Sequence, residues 1–239
     1  MTKLSVVVPC YNEEKRFIKG FEHYYNYLKE QKYKWDLIFV NDGSKDKTLE
    51  LMKKSSQGKK SVRIISYSPN RGKGYAIVQG IKKSQGRYIL FTDIDYSVPI
   101  ETIEMFFKYF EKGYPVVMGS RRVEESKLVI RQPLFREFLG RGFTFLVNIL
   151  ICPGVADSTC GFKAFKNKTA QKIFDKITVY DWAFDAEILF ICKKLNIKFA
   201  QAPVRWSDVR GSKVSLKKDI IQSIFGLLKI RANDIAGKY

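Results

Sequence analysis

The first 92 residues alternate between short apolar runs and segments with helical periodicity, and this alternation determines the fold class. The apolar runs cover residues 4–8, 35–40, 62–66 and 88–92. Short runs rich in β-branched and aromatic residues predict buried strands, and the periodic segments between them predict helices. Three strand–helix units in succession predict an α/β fold. We expect a mostly parallel, doubly wound sheet with right-handed crossovers and helices on both faces.

Beyond residue 132 the regular alternation ends and helical patterns dominate. The spacing predicts helices over residues 134–152 and 184–195, an edge strand over 198–204, and an amphipathic helix in the tail from 209 to 239. No run reaches the roughly 18 apolar residues of a spanning helix. The first apolar run stops at Pro9, before the apolar part of a signal peptide forms. The pattern therefore predicts no transmembrane helix.

The charge balance restricts the partners and the chemistry. The chain has 43 basic and 24 acidic residues, a net charge of +19, which favours nucleic acid, an anionic membrane surface or phosphorylated substrates. His23 is the only histidine, so catalysis has to use Asp, Glu, Lys and Arg. The four cysteines form no Cys-x-x-Cys pair, which indicates reduced thiols in a cytosolic setting.

Polar residues follow three of the predicted strands at the point where each strand ends. They occupy residues 9–13, residues 41–44, and Asp93 with Asp95. The carboxyl ends of parallel strands meet at one edge of the sheet, where ligands bind. Mg²⁺ or Mn²⁺ takes one or two carboxylates from a protein and leaves its other positions to water and phosphates. The sequence predicts a metal and a phosphorylated ligand here, with a solvated strand end as the alternative for the two aspartates alone.

Lys73 lies in a glycine-rich basic turn, residues 70–74 (NRGKG), which opens a predicted helix. A lysine and backbone N–H groups at the start of a helix are suited to bind phosphate. The alternative is an exposed lysine in a flexible turn.

Several motifs resemble those of the family 2 glycosyltransferases with the GT-A fold, in the same order. They are residues 6–14 (VVVPCYNEE), 40–44 (VNDGS), 70–74 (NRGKG) and 92–95 (TDID). Later segments are similar to the branch that charges a polyprenyl phosphate, most of all the dolichyl-phosphate β-glucosyltransferases. Those segments are residues 119–121 (GSR), 157–163 (DSTCGFK), 182–187 (WAFDAE) and 204–213 (VRWSDVRGSK).

The resemblance implies roles for individual residues. The nucleotide-binding residues that it implies are Pro9, Tyr11, Glu13, Asp42 and Lys73. Asp93 and Asp95 would face the nucleotide sugar and the metal, with Asp95 as the closer ligand. The residues that it implies around the acceptor phosphate are Arg121, Arg131, Arg210, Ser212 and Lys213, with Arg136 as an alternative to Arg131. Asp185 would orient the sugar or a basic partner, or else lie on a solvated helix face.

The implied reaction is attack of a lipid-phosphate oxygen on C1 of a nucleotide sugar, with inversion and release of the nucleoside diphosphate. We expect UDP-glucose as donor and dolichyl or polyprenyl phosphate as acceptor. A phosphate oxygen is already anionic at neutral pH and needs no strong general base, which agrees with a chain that has one histidine. The alternatives are a GDP-mannose donor, a sugar acceptor, or a non-enzymatic protein that binds nucleic acid; for the enzyme we expect no nucleic-acid partner.

The tail indicates how such an enzyme reaches a lipid. Residues 205–239 hold eight basic and three acidic side chains, and the apolar residues from 216 to 231 recur at helical spacing. We expect a catalytic domain over 1–204 and an acceptor and membrane-interface tail over 205–239. The protein would be peripheral, on the cytoplasmic face of a membrane, with the helix at 134–152 as a second contact. Alternatively, both apolar stripes pack on the sheet or on another subunit.

Overall fold

The computed structural model describes residues 1–209 and 216–239, with side chains described for 1–209 and 222–239. The strands are β1 Leu4–Cys10, β2 Trp35–Asp42, β3 Val62–Tyr67, β4 Tyr88–Phe91, β5 Val116–Ser120, β6 Lys127–Ile130, β7 Lys163–Lys166, β8 Phe199–Pro203 and β9 Arg205–Ser207. The helices are α1 Phe17–Lys29, α2 Thr48–Ser56, α3 Lys73–Lys83, α4 Thr102–Glu111, α5 Leu134–Leu150, α6 Asn167–Phe174, α7 Phe184–Lys194 and α8 Leu216–Ile235.

Seven strands form one sheet in the order β3-β2-β1-β4-β7-β5-β8, and the predicted α/β fold is confirmed. The neighbouring pairs among β1 to β4 are parallel, as are β5 and β8. The sequence did not predict that β7 runs antiparallel between β4 and β5. The first residue of β7, Lys163, pairs with Phe91 and Met118 near the ends of β4 and β5. Residues 157–162 therefore approach the edge of the sheet where the predicted site lies.

Helices cover both faces of the sheet, and each face has its own apolar core. Successive residues of a strand point to opposite faces, so Val7 belongs to one core and Val6 and Val8 to the other. The first core contains side chains from α3, α5, α6, α7 and α8. The second contains side chains from α1, α2 and α4. The tail helix α8 takes part in the first core through Leu227 and Ile230, which are fully buried.

Strands β6 and β9 form a separate parallel pair outside the main sheet. No strand was predicted at the position of β6, because its pairing with β9 joins segments more than seventy residues apart. The predicted edge strand at 198–204 is observed as β8, which ends the sheet. Among the described residues, no helix combines the length and apolar character needed to cross a membrane.

Candidate active site

The loops that follow β1 and β2 are joined by hydrogen bonds. The backbone N–H of Asn12 donates to Ser44 Oγ at 2.9 Å, and its side-chain oxygen accepts from the N–H of Lys45 at 2.7 Å. The N–H of Glu13 donates to Thr48 Oγ1 at 2.7 Å. Asn12 has a φ of 54°, in the left-handed region that asparagine tolerates. This turn precedes α1, which begins at Phe17, and it confirms that two of the three polar loops meet.

Three residues with predicted nucleotide roles lie on the loop after β1. Pro9 is half-buried near the end of strand β1, where it pairs with Val40 of β2. Tyr11 is 36% exposed at the surface of the loop. Glu13 forms a forked ion pair with Arg16, in which Nη2 lies 2.7 Å from Oε1. Their contact with a nucleotide stays a prediction.

Asp42, at the end of β2, holds the glycine-rich turn. Its carboxylate accepts hydrogen bonds from the N–H groups of Arg71 at 2.8 Å and Gly72 at 3.0 Å, and from the Asn70 amide at 2.7 Å. The residue is only 2% exposed. Burial raises the pKa of Asp42, and the N–H groups of Arg71 and Gly72 act against that rise. Asp42 therefore shapes the turn that carries Lys73, a function that spacing alone did not reveal.

Lys73 faces the acidic residues after β4. Its Nζ lies 2.5 Å from Asp93 Oδ1 and its side chain is half-buried, so it is not the exposed lysine of the alternative interpretation. Gly72 precedes it with a φ of 99°, and a Cβ there would lie 2.5 Å from the carbonyl oxygen of Tyr180. The N–H of Gly74 donates to the same oxygen at 3.0 Å. Three N–H groups of the turn are thus engaged within the protein, and its two cationic side chains are Lys73, which faces Asp93, and the exposed Arg71, which contacts Tyr75.

Asp93 and Asp95 present oxygen atoms suited to a divalent cation. Their side chains are 32% and 25% exposed, which leaves both carboxylates accessible from the crevice. The N–H of Ser97 donates to Asp95 Oδ1 at 3.1 Å, and Arg16 Nη1 lies 4.0 Å from its Oδ2. Burial raises the pKa of Asp95, and the neighbouring charge of Asp93 raises it further. A cation between them would offset this repulsion.

The donor set fits a metal that shares its coordination with a ligand. Among the side chains described, those of residues 1–209 and 222–239, no three His, Cys, Asp or Glu group into a metal site. Two carboxylates are nevertheless what Mg²⁺ usually takes from a protein when substrate phosphates complete its coordination. A resident structural metal is therefore a poor fit, and a metal bound together with a diphosphate is a good one.

Asp185 lies on the first turn of α7 and is buried, so the solvated helix face proposed as an alternative is wrong. Its Oδ1 lies 2.5 Å from the Nζ of Lys163, the first residue of β7. Lys163 belongs to the motif at residues 157–163, but no role was predicted for it. The signal that could have revealed it is a lysine within the otherwise apolar segment 162–165 (FKAF).

Arg121 is occupied by a carboxylate of the protein itself. Its Nε and Nη2 lie 2.7 Å and 2.8 Å from the oxygens of Asp157, and Nη2 donates to Thr159 at 2.7 Å. Burial opposes ionisation of Asp157, but the Arg121 guanidinium holds its pKa well below the usual range. The guanidinium also lies 5.4 Å from the ring centre of Trp206. Arg121 therefore connects β5, residues 157–159 and β9.

A cavity of about 190 Å³ adjoins Arg121. The residues that line it are Arg121, Arg122, Leu128, Gln132, Glu137, Arg141 and Trp206. Sequence reasoning missed Arg122 and Arg141, because the cavity is formed by the unpredicted β6–β9 pair together with α5. Arg131 is exposed nearby in the chain and Arg136 is half-buried. Arg210, Ser212 and Lys213, predicted at the acceptor phosphate, lie outside the described residues.

Comparisons with known proteins show the family to which this chain belongs. The sequence profile of glycosyl transferase family 2 matches residues 5–174. The chain belongs to glycosyltransferase family 2. It is 37% identical to human dolichyl-phosphate β-glucosyltransferase over 99% of this chain and 77% of the relative. It is 34% identical to the enzyme of that name from Dictyostelium discoideum, over 98% of this chain and 75% of the relative.

The solved structures that resemble this family 2 glycosyltransferase confirm the GT-A fold. One is glucosyl-3-phosphoglycerate synthase from Mycobacterium tuberculosis in complex with Mn²⁺, UDP-glucose and phosphoglyceric acid. The TM-score is 0.73 at 18% identity, over 97% of this chain and 80% of that chain. The resemblance inferred from the sequence motifs, including that to the dolichyl-phosphate β-glucosyltransferases, is confirmed.

Proposed function

We propose that this glycosyltransferase moves glucose from UDP-glucose to the phosphate of dolichol or a related polyprenol, with inversion at C1. The observation that carries the proposal is the meeting of Lys73, Asp93 and Asp95 at the carboxyl edge of the sheet, beside a turn held by Asp42. The similar proteins are named for glucose transfer to dolichyl phosphate. A similar fold binds UDP-glucose with Mn²⁺.

The donor side of the reaction requires positive charge where the diphosphate leaves. Asp95, assisted by Asp93, would hold Mg²⁺ or Mn²⁺, which when bound supplies Lewis-acid stabilisation of the leaving diphosphate. Lys73 adds a fixed ammonium at the same edge. The N–H groups of Arg71 and Gly72 are engaged by Asp42, so the turn acts on phosphate through the Lys73 side chain. Pro9, Tyr11 and Glu13 would bind the base and ribose beside this turn.

The acceptor side requires positioning of an anion and no strong base. We place the lipid phosphate near the cavity beside Arg121, where Arg122 supplies further positive charge and Arg141 is paired with Glu137. Arg121 would act there as a rigid support, since Asp157 fixes its guanidinium. Arg131, and the tail residues Arg210, Ser212 and Lys213, would complete the phosphate contacts. A rise in the acceptor KM of a Lys213→Ala variant with unchanged UDP affinity would support that last assignment.

We further propose that residues 205–239 bring the catalytic domain, residues 1–204, to the cytoplasmic face of a membrane. The exposed large apolar side chains of α5 are Leu134, Phe135, Phe138, Phe145 and Ile149, and those of α8 are Ile224, Phe225, Leu228 and Ile235. The two helices contact each other. We call these nine residues the apolar surface. An exposed surface of this kind beside basic residues suits the interface of an anionic bilayer.

One experiment tests the proposed reaction. The protein is incubated with Mg²⁺, polyprenyl phosphate and a panel of radiolabelled nucleotide sugars, and the label in the organic phase is counted. We expect label from UDP-glucose and its loss when a chelator is added. Preferential transfer from GDP-mannose would overturn the donor assignment. Transfer to a water-soluble sugar, with none to lipid, would overturn the acceptor assignment.

A further inference from the structure

Glu187 is a buried carboxylate of α7 that has no part in the proposed reaction. The residue is 0% exposed. Its Oε2 accepts hydrogen bonds from the backbone N–H groups of Thr178 at 3.0 Å and Val179 at 2.8 Å, and its Oε1 accepts one from the Thr178 hydroxyl at 2.5 Å. These donors offset the cost of removing the carboxylate from water. Glu187 thus fixes the start of residues 178–183, which we call the Tyr180 loop.

The tail of the chain holds the same end of the Tyr180 loop. The side-chain amide of Asn233, on α8, donates to Thr178 Oγ1 at 2.8 Å. The hydroxyl of Tyr239 donates to Glu187 Oε1. Asn233 is only 5% exposed, so solvent does not replace its contact easily. Residues of the predicted membrane-interface tail therefore complete the support that Glu187 gives to the loop.

The far end of the Tyr180 loop also lies against α8. A Cβ on Gly226 would lie 2.4 Å from the Cβ of Ala183, so α8 approaches the loop with no side chain between them. The N–H of Ala183 donates to Asp181 Oδ1 at 2.8 Å, which closes the loop just before α7. The loop is therefore held at both ends, and α8 contacts both.

The middle of the Tyr180 loop contacts the glycine-rich turn of the donor site. The carbonyl oxygen of Tyr180 accepts a hydrogen bond from the N–H of Gly74 at 3.0 Å. A Cβ on Gly72 would lie 2.5 Å from the same oxygen. The Tyr180 ring packs edge-on against Tyr75, with 5.3 Å between the ring centres. Gly72 and Gly74 flank Lys73, so the loop fixes the backbone from which the Lys73 side chain reaches the crevice.

We propose that Thr178, Asn233 and Tyr239 are positioning residues of the donor site, which act through the Tyr180 loop on the turn that carries Lys73. The helix assigned to the membrane interface thereby also supports the binding of the nucleotide. The inference rests on the proposed function only in that the donor carries a diphosphate. The competing explanation is that these contacts merely dock α8 on the catalytic domain. A docking role would change the melting temperature and leave the UDP affinity of the folded protein unchanged.

A double-mutant cycle on nucleotide affinity separates the two explanations. Thr178→Val keeps the shape of the side chain and removes the hydroxyl that joins Asn233 to Glu187. This variant, Lys73→Met and the double variant are titrated by calorimetry with UDP in the presence of Mn²⁺, and with uridine, which lacks the diphosphate. We expect Thr178→Val to lose roughly fivefold in UDP affinity, the scale of about one lost hydrogen bond, and to keep its uridine affinity. The double variant should bind UDP no more weakly than Lys73→Met, because the loop acts through Lys73.

The matched control is Asp234→Asn, a change at the residue next to Asn233. The Asp234 carboxylate lies 2.7 Å from Lys194 Nζ and ties α8 to α7 away from the Tyr180 loop. This variant should bind UDP and uridine as the wild type does, even if its melting temperature falls. If Thr178→Val fails to fold, Tyr239→Phe replaces it, because it removes a single hydroxyl from a half-buried side chain. Tyr239→Phe should show the same loss for UDP alone, of roughly threefold.

Three results would overturn the inference. One is wild-type UDP affinity in Thr178→Val, or in Tyr239→Phe where it replaces that variant. Another is an equal loss of UDP affinity in Asp234→Asn, which would mean that the docking of α8 matters rather than its contact with the loop. The third is a multiplicative loss in the double variant.

The proposed reaction and the inference fail separately. A wild type that binds UDP and gives the expected cycle, but transfers no sugar to polyprenyl phosphate, would overturn the proposed reaction and support the role of the Tyr180 loop. A wild type that transfers glucose while Thr178→Val binds UDP normally would support the reaction and overturn the inference. A wild type that does not bind UDP would overturn both.

Discussion

Replacement of Phe225 and Leu228 by glutamine should release the protein from membranes without unfolding it. The two side chains are 66% and 51% exposed on α8, whereas their neighbour Leu227 is fully buried in the core. Glutamine keeps the net charge and is a good helix former. The double substitution therefore removes apolar contact with the bilayer and leaves both the electrostatic attraction and the packing of α8 on the sheet intact.

The expected loss of membrane-binding free energy follows from the exposed fractions of the two side chains. Full burial of a Phe or Leu side chain is worth about 1.5–3 kcal/mol. Scaled by exposures of 66% and 51%, the two side chains together contribute about 3 kcal/mol to membrane binding, or on the order of 100-fold in partitioning. The basic residues add to this: residues 205–239 hold eight basic and three acidic side chains, a net +5. Each cation close to an anionic leaflet adds roughly 1 kcal/mol.

Liposome flotation measures the effect. The wild type should float with anionic vesicles and be released by high salt, and the Phe225→Gln/Leu228→Gln variant should remain at the bottom at lipid concentrations that saturate the wild type. Ile18→Gln is the matched control, because Ile18 is 39% exposed on α1, on the opposite face of the sheet. Flotation of the double variant like the wild type, with its thermal unfolding unchanged, would refute the assignment of α8 to the membrane interface.

Three further predictions concern the crevice and its supports. Asp95→Asn should lower kcat at least about 100-fold with little change in melting temperature, since it removes the charge that would anchor the metal; near-normal turnover in a metal-dependent assay would contradict this. Asp42→Ala should weaken UDP binding about tenfold or more and affect the saturated rate less, because the turn loses three hydrogen bonds; a slower rate at unchanged UDP affinity, measured by calorimetry, would argue against it. Asp157→Asn should destabilise the protein by about 3 kcal/mol at neutral pH. Because folding lowers the pKa of Asp157, the difference in free energy of unfolding between wild type and variant should be complete above about pH 4 and shrink as the pH falls. The same difference in urea unfolding at pH 7 and at pH 3 would disprove this.

The sequence was sufficient for those parts of the fold whose determinants are local. The runs that became β1 to β4 are apolar and short, and polar clusters follow three of them, so the parallel sheet and its common edge followed from one periodic pattern. Asp93 and Asp95 were predicted at this edge because the strand and the acidic pair are adjacent in the chain. The turn at Asn12 was not predictable in this way, because it depends on a hydrogen bond to a loop thirty-two residues away.

The buried charges show why the rest required the structure. Lys163 and Asp185 are 22 residues apart in the chain, and Arg121 and Asp157 are 36 apart. In the sequence, each of these charged residues suggests a solvent-exposed position. Only the insertion of β7 between β4 and β5 makes them buried partners. That insertion has no local signature, since the direction of β7 is set by the path of the chain through β6 and α5. The same insertion brings Gly161 against Asp93 and Lys163 against Asp185. The strand that periodicity could not orient is therefore the one that brings a glycine against Asp93 and a buried lysine to Asp185.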